Sequence, residues 1–383
     1  MKLAVTTLVF CVGSLLALGM VMLYSASMEQ AGARYLAMQL IWCVAGLVAC
    51  VAATSFDYRL LKKVWWLLLG AAIVMLVLVL VPHVGMVRGH ARRWFGFGRI
   101  SFQPSEFAKL ALIIALAWYG EQSLRQMKGW KRGIFIPGAV IVIMAGLIFK
   151  EPDVGNALVL ATVGGTLLLI AGIRLAYFLP PVMIAALGVG LFISHNQMRS
   201  ERVYSWLHLE ETRRDKGLQA YEAMLALGSG GVTGKGLGDG RQKLGFVPEH
   251  HTDFIFSIIG EELGLIATIL VLAAFVGIII SGIYISHHAL DPFGLLLGSG
   301  ITFLIGLQAF INIGVVTGVL PNKGLPLPFI SYGGSNLLMM LTGVGLLLGI
   351  ARLAREKEPI PNAGKRNSDN PFAPAEARPQ GAA

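Results

Sequence analysis

The chain has 383 residues, of which 55% are hydrophobic and only 14% charged, and its mean hydropathy is +0.70. Soluble domains carry about 25% charged residues, so this composition excludes an ordinary soluble domain and indicates a protein of the lipid bilayer. The formal net charge is +10. Because the basic residues fall mainly in loops between apolar runs, the charge favours a membrane protein over a nucleic-acid-binding one.

Several apolar runs are predicted to cross the membrane, since a spanning helix needs about 20 mostly apolar residues. The alternating pattern of barrel strands is absent, so every run is predicted to be helical. The predicted fold class is an all-α integral membrane protein with ten transmembrane helices and a long extracytoplasmic loop, 194–252, between helices 7 and 8. The ten runs lie at 3–24, 36–54, 64–82, 106–119, 133–149, 154–173, 175–195, 253–284, 291–320 and 329–353.

The first run has two features of a signal peptide, namely Lys2 ahead of it and the small residues 25–27 after it. Its apolar stretch of roughly 20 residues exceeds a signal-peptide core of about 7–15, so it is predicted to be the first span. With both termini in the cytoplasm, most basic loops follow the positive-inside rule. Residues 1–355 are therefore the predicted membrane domain, and 356–383 a disordered cytoplasmic tail.

Five polar segments are predicted to emerge on the outer face, at 88–109, 150–156, 228–243, 247–253 and 320–336. Each segment alone fits a solvated connector, but their shared side and similar chemistry indicate a functional surface. The long loop also contains apolar residues near helical spacing. These predict amphipathic helices lying on the membrane.

Asp253 stands at the start of the eighth run, and we expect its carboxylate near the membrane–water boundary. Partial desolvation there makes a carboxylate a better proton acceptor. Capping the helix is an alternative role, and the two roles are compatible. Glu261 and Glu262 lie two turns deeper, where an acid is either functional or a structural group with a partner.

Cationic groups recur around this acid. Glu106 and Lys109 are three residues apart on one helix face and are predicted to pair.

The run "GSGGVTGKGLG" lacks Walker A spacing, so it is either a flexible loop or, with Lys235, a backbone that approaches a diphosphate. The adjacent His250 and His251 lack zinc-site spacing, and a Mg2+ or Mn2+ ion between carboxylates and a diphosphate is favoured.

Many cations around one well-placed acid suit the displacement of a diphosphate from a sugar. The attacking hydroxyl then needs a base, while the leaving group needs neutralisation of its charge. A hydrolase with paired acid and base carboxylates fits less well.

Four motifs resemble the shape, elongation, division and sporulation (SEDS) family of bacterial membrane proteins: "RRWFGFGRISFQPSEFAK", "GSGGVTGKGLGDG", "VPEHHTDFIFSIIGEELG" and "LPNKGLPLPFISYGGSN". The resemblance covers about 1–355 and is closest to the division branch, FtsW, then to the elongation branch, RodA. It implies an inner-membrane glycosyltransferase that polymerises lipid II into glycan strands and releases undecaprenyl diphosphate. It also implies a class B penicillin-binding protein and other division proteins as partners. No nucleotide cofactor is predicted, because the glycine-rich run lacks Walker A spacing.

The resemblance places the catalytic aspartate at Asp253. The family's usual "QPD" motif reads Glu151-Pro152-Asp153 in this chain. Asp153 matches the motif, whereas Glu151 places an acid where the family commonly has an amide. The motifs and their shared face predict substrate-binding roles for Arg92, Arg93, Trp94, Gln103, Glu106, Lys109, Asp153, Lys235, Glu249, His251, Lys323 and Ser331.

Two other functions fit some of these features. A flippase for lipid-linked precursors would line a path through the membrane with groups such as Glu106 and Glu261. A non-catalytic scaffold would act on a partner synthase through helix contacts. Polar groups gathered on the outer face favour the polymerase over the flippase, and a scaffold would tolerate the loss of Asp253.

Overall fold

The computed structural model describes residues 1–31, 34–88, 91–97, 100–195, 197–215, 217–240 and 252–356. Twelve α-helices account for most of this chain. They are α1 (Lys2–Ala31), α2 (Arg34–Ser55), α3 (Leu61–Leu80), α4 (Pro104–Ser123), α5 (Ile136–Lys150), α6 (Val154–Ile170), α7 (Leu175–Ser194), α8 (Gln197–Leu207), α9 (Leu218–Ser229), α10 (Ile255–His287), α11 (Pro292–Val316) and α12 (Gly334–Glu356).

Each predicted apolar run falls on a helix. In the described chain, eight helices are long and apolar enough to cross a membrane: α1, α2, α3, α5, α7, α10, α11 and α12. Of the other two runs, α6 has only 17 residues, and α4 carries Glu106, Lys109 and Glu121. The protein is a multi-pass membrane protein, and the count of ten crossings stays a prediction.

The predicted all-α membrane fold is confirmed, and the structure adds one small sheet that was not predicted. The segment between α3 and α4 forms a three-stranded antiparallel sheet of β1 (Gly85–Arg88), β2 (Ala91–Phe97) and β3 (Ile100–Phe102), in the order β1-β2-β3. Trp94 pairs with Met86, and Phe95 with Phe102. The strands were missed because Gly and Arg interrupt their apolar positions. The sheet matters because β2 carries three predicted site residues, Arg92, Arg93 and Trp94.

The centre of the bundle is formed by α4, α11 and α12, whose side chains are largely buried. The outer helices instead expose large apolar side chains, such as Trp66 on α3, Val142 on α5 and Ile184 on α7. Exposed apolar surface on this scale is untenable in water. It is the surface expected of helices that face lipid.

The longest helix, α10, is broken at Gly264, where φ is +76°. A break within a bundle leaves backbone N–H and C=O groups that must find partners. The glycine-rich loop after α9 supplies them. The N–H groups of Lys235 and Gly236 donate to the carbonyls of Glu261 and Glu262, both at 3.0 Å, and Leu265 N–H donates to Gly231 O, also at 3.0 Å.

The close contact between this loop and α10 explains why the loop is rich in glycine. Gly234 has φ +81°, and a Cβ there would collide with the backbone of Glu262. The same loop packs the end of α9 on α10, with Ala223 and Ala226 of α9 buried. In the long loop, α8 and α9 fall within the helical segments expected from the sequence, and α9 buries one face against the bundle. The predicted tail lies outside the described residues, apart from Glu356.

We expect Gly234→Ala to destabilise the protein by roughly 1–3 kcal/mol, because it adds left-handed backbone strain and a steric clash. The comparison variant is Gly228→Ala, in helix α9, where a Cβ meets no atom within 4 Å. Unfolding of the purified protein in detergent measures both. Equal stability of the two variants would contradict the role given to this loop.

Candidate active site

A cavity of about 660 Å³ opens where α2, the β1–β2–β3 sheet (the hairpin), α4, α6 and the loop 317–333 between α11 and α12 (the last loop) meet. It holds the predicted catalytic residue, Asp253, and four of the predicted substrate-binding residues: Arg93, Trp94, Gln103 and Asp153. The full lining is Arg34, Tyr35, Met38, Trp42, Arg93, Trp94, Ser101, Gln103, Asp153, Asn156, Thr252, Asp253, Gly324, Pro326, Tyr332, Gly333, Gly334, Ser335 and Asn336.

Asp253 lies in the turn that precedes α10. Its backbone carbonyl accepts a hydrogen bond from Asn312 Nδ2 at 2.8 Å, and the same amide donates to Leu325 O at 2.7 Å. One side chain of α11 therefore ties this turn to the last loop. A Cβ at Gly324 would lie 2.5 Å from Asp253 Oδ2, so the loop backbone packs directly on the carboxylate. The N-cap position of α10 is Phe254, which leaves the helix-cap role predicted for Asp253 without support.

Asp153 is the N-cap of α6, with Oδ1 accepting from Asn156 N–H at 3.1 Å. Its Oδ2 accepts from Gln103 Nε2 at 3.1 Å and lies 3.7 Å from Arg93 Nη1. Arg93 also donates to the carbonyls of Glu151 and Pro152, at 3.0 and 2.7 Å. The hairpin is thus fixed to the 151–153 turn, and Arg93 brings its positive charge to the wall of the cavity.

Glu151 lies beneath this turn with no exposed surface. Neither of its carboxylate oxygens has a hydrogen-bond partner in the described chain. Burial, reinforced by the charge of Asp153 and opposed by that of Arg93, raises the pKa of Glu151 to about 8. At neutral pH the uncharged acid is therefore the favoured form of this side chain.

Glu106 and Lys109 form the predicted ion pair inside the bundle. Lys109 Nζ donates to Glu106 Oε1 at 2.9 Å and to Asn156 Oδ1 at 3.0 Å, while Asn336 Nδ2 donates to Glu106 Oε2 at 2.8 Å. Both charged side chains are 1% exposed. They lie behind the cavity rather than in its wall, and Asn156 and Asn336 connect them to it.

Four other predicted residues lie outside the cavity lining. Lys235 Nζ donates to Glu261 Oε1 and Ser229 Oγ, both at 2.8 Å, so its ammonium links the glycine-rich loop to α10. Ser331 Oγ accepts from Leu327 N–H at 2.8 Å and shapes the last loop. Arg92 lies in β2 facing Val87. Lys323 lies in the last loop, where burial lowers its pKa.

Glu261 and Glu262 of α10 both have partners within the protein, as expected of structural acids. Glu261 pairs with Lys235, and Glu262 accepts from Ser25 Oγ at 2.8 and 2.7 Å and from Gly238 N–H at 3.1 Å. Among the described residues, no group of three or more His, Cys, Asp or Glu side chains could hold a metal ion. Glu249 and His251, both predicted here, lie outside the described residues.

The sequence analysis missed the contribution of α2. Arg34, Tyr35, Met38 and Trp42 share one face at its start and line the cavity. The i, i+1, i+4, i+8 spacing of these residues was the available signal. It was overlooked because a cation and aromatic residues at the start of an apolar run also fit an interfacial anchor.

Comparison with known proteins fits this arrangement. A family model described as cell cycle protein, FTSW_RODA_SPOVE, matches residues 6–356. The chain belongs to the FtsW, RodA and SpoVE family of cell cycle proteins. The probable peptidoglycan glycosyltransferase FtsW of Geobacter metallireducens is 39% identical over 339 residues, which cover 87% of this chain and 90% of that protein. Stage V sporulation protein E of Bacillus subtilis is 40% identical over 349 residues, covering 89% and 95%.

Solved structures of the FtsW, RodA and SpoVE family share the fold. Rod shape determining protein RodA of Thermus thermophilus superposes with a TM-score of 0.68 at 28% identity, covering 90% of this chain and 95% of that chain. A chain from a structure described as "Structural coordination of polymerization and crosslinking by a peptidoglycan synthase complex" gives a TM-score of 0.76 at 29% identity, covering 91% and 97%. The match extends over the whole membrane domain, so the likeness is not confined to the site.

We expect Lys109→Met to destabilise this family member by roughly 3–5 kcal/mol, because it leaves the Glu106 carboxylate buried without its cation. The double variant Glu106→Gln with Lys109→Met removes both charges and keeps an acceptor for Asn336. It should recover most of the lost stability in unfolding measurements. A single variant as stable as the parent would show that the pair is not required.

Glu151→Gln should stabilise the protein increasingly as pH rises. In the parent, the pKa of the Glu151 carboxyl is higher in the folded state than in the unfolded state. Its contribution to folding stability is therefore complete below the ordinary pKa of 4.5 and is lost as pH rises through about 8. The loss is at most about 1.4 kcal/mol per pH unit in that window. Melting temperatures at pH 5.5, 7 and 9 measure the effect, with the exposed Glu210→Gln as control. A constant difference across this range would refute the assignment.

Proposed function

We propose that this chain is a peptidoglycan glycosyltransferase that polymerises lipid II into glycan strands and releases undecaprenyl diphosphate, with a role in cell division. The observation that carries the proposal is a cavity that joins Asp253 to Arg93, Gln103 and Asp153 in a member of this family. Relatives named peptidoglycan glycosyltransferase, at 39% identity, support the same activity.

The reaction we propose is a single displacement. Asp253 accepts the proton of the acceptor sugar's 4-hydroxyl while that oxygen attacks the anomeric carbon of the donor. A new carbon–oxygen bond forms, the bond to the diphosphate breaks, and the diphosphate leaves with both bonding electrons. Because no enzyme-bound sugar intermediate intervenes, the anomeric configuration inverts.

The leaving group needs its growing negative charge stabilised. Arg93 is suited to this, because a guanidinium offers paired donors to phosphate oxygens and its position is fixed by the 151–153 turn. Gln103 and Asn336 add neutral polar groups to the wall. Trp94 and Tyr332 give the cavity aromatic surface for the sugar rings.

A divalent cation is part of the proposal. Two aspartates, Asp153 and Asp253, line the cavity, and Mg2+ is typically held by one or two carboxylates together with substrate phosphates. Mg2+ or Mn2+ on these residues would neutralise diphosphate charge. We propose no nucleotide cofactor.

The arrangement of the bundle supports a polymerase over a flippase. The ionisable groups at depth, Glu106, Lys109, Glu261 and Glu262, bond to one another or to nearby polar groups and do not line the cavity.

The cellular setting is also proposed. We place the chain in the bacterial inner membrane with both termini in the cytoplasm and the cavity on the extracytoplasmic face. There it meets lipid II, the nascent strand, membrane lipids and a class B penicillin-binding protein that crosslinks the strands. The structural relative from a peptidoglycan synthase complex, which coordinates polymerization and crosslinking, supports such a partner.

The test is polymerisation of lipid II by purified protein with its partner synthase in a crosslinking-dead form. Asp253→Asn should lower the rate by roughly 100-fold or more, because it removes the base but keeps the side chain's shape. Asp215→Asn, in an exposed turn after α8, is the matched control and should retain activity. A folded Asp253→Asn variant with the parent's rate would overturn the mechanism.

A further inference from the structure

Two described cations line the cavity, and they are held in different ways. Arg93 is bound to the 151–153 turn through two carbonyls and lies 3.7 Å from the Asp153 carboxylate. Arg34 is exposed to the cavity. Within the described part of the chain, its guanidinium takes part in no hydrogen bond or ion pair. Part of Arg93's charge is therefore offset by protein, whereas that of Arg34 is not.

The start of α2 is nevertheless held in place. Tyr35 packs edge-on against Tyr332 of the last loop, with ring centroids 5.0 Å apart. One turn further on, Gln39 Nε2 donates to Ser331 O at 3.1 Å, and Gly333 N–H donates to Gln39 Oε1 at 3.4 Å. These contacts fix the backbone that carries Arg34 beside the loop that packs on Asp253.

The charge of Arg34 is not neutralised within the described chain. No carboxylate described in the structure pairs with it. An anion from outside the chain would neutralise this charge, and the cavity provides the space for one.

We propose that Arg34 binds the diphosphate of the lipid-linked substrate, as a second cation in addition to the constrained Arg93. The inference rests on the proposed function, because the diphosphate is the anionic group of that substrate. A guanidinium with uncommitted N–H groups can bind phosphate oxygens in a bidentate manner. Arg34 makes this contact before and during bond breaking, so its loss weakens substrate binding more than turnover.

Arg34→Gln should raise the KM for lipid II by about tenfold or more while changing kcat less than about threefold, since a hydrogen bond to a charged group contributes about 1.5–3 kcal/mol. Arg34→Lys keeps the charge but not the bidentate geometry, and should recover part of the loss. Arg202→Gln on α8, an exposed arginine outside the cavity, should retain the parent's KM. Unchanged KM in Arg34→Gln would overturn the proposal, as would an equal rise in Arg202→Gln.

Binding without turnover separates this inference from the proposed function. Undecaprenyl diphosphate should bind the full-length parent and Arg202→Gln equally, and Arg34→Gln about tenfold more weakly, even if no strand is ever formed. Failure of polymerisation with this pattern of binding intact would count against the polymerase and not against Arg34. Equal binding by all three proteins would count against Arg34 alone.

The surrounding lipid provides the last control, because a phospholipid headgroup also carries phosphate. The binding assay is repeated in nanodiscs of neutral phosphatidylcholine and in nanodiscs containing phosphatidylglycerol. If Arg34 binds the substrate diphosphate, the tenfold difference persists in the neutral discs. A difference seen only with phosphatidylglycerol would assign Arg34 to a membrane headgroup and overturn the proposal.

Discussion

The position of the candidate active site depends on the hydrogen bonds that the backbone of α10 makes at its break. At Gly264 the helical ladder is interrupted inside a bundle in which unpaired N–H and C=O groups are costly. The backbone of the glycine-rich loop replaces the missing helical hydrogen bonds by bonding to the backbone of Glu261, Glu262 and Leu265. Asp253 lies in the turn that precedes this part of α10, so the loop that completes the backbone also stabilises the helical segment that follows the proposed base.

The buried acids illustrate three ways of keeping a carboxyl group out of water. Glu106 is matched by the cation Lys109 on its own helix. Glu261 draws its cation, Lys235, from a separate loop, which links that loop to α10. Glu151 has no such partner, and its elevated pKa makes protonation the means by which its charge is avoided. The first two acids add specific contacts between elements, whereas the third mainly fills space beneath Arg93.

Sequence patterns predicted the helices well because apolar runs of membrane length have few alternative structures. They also placed Asp253 in the cavity, together with Asp153, Gln103, Arg93 and Trp94, because long motifs preserve the relation between chain position and chemistry. The sequence patterns did not predict whether a given cationic side chain lines the cavity or pairs with a carboxylate elsewhere in the protein. Lys235 lies in such a motif but bonds to Glu261, while Arg34, at the start of an apolar run, lines the cavity. That choice depends on packing between distant segments, as does the formation of the hairpin.

The length of α10 has a consequence for how a lipid-linked substrate would be handled. The helix has 33 residues and is divided into two segments by the break at Gly264, whereas about 20 helical residues cross a hydrocarbon core about 30 Å thick. The residues before the break, such as Ile258 and Ile259, are enclosed by protein, and those after it, such as Leu265 and Ile266, are exposed. Before Gly264 the helix is enclosed by protein, and after it the helix keeps one buried face and exposes the other. Because no residue of the enclosed segment lines the cavity, a substrate whose tail stays in the hydrocarbon would reach Asp253 through the cavity and not along α10.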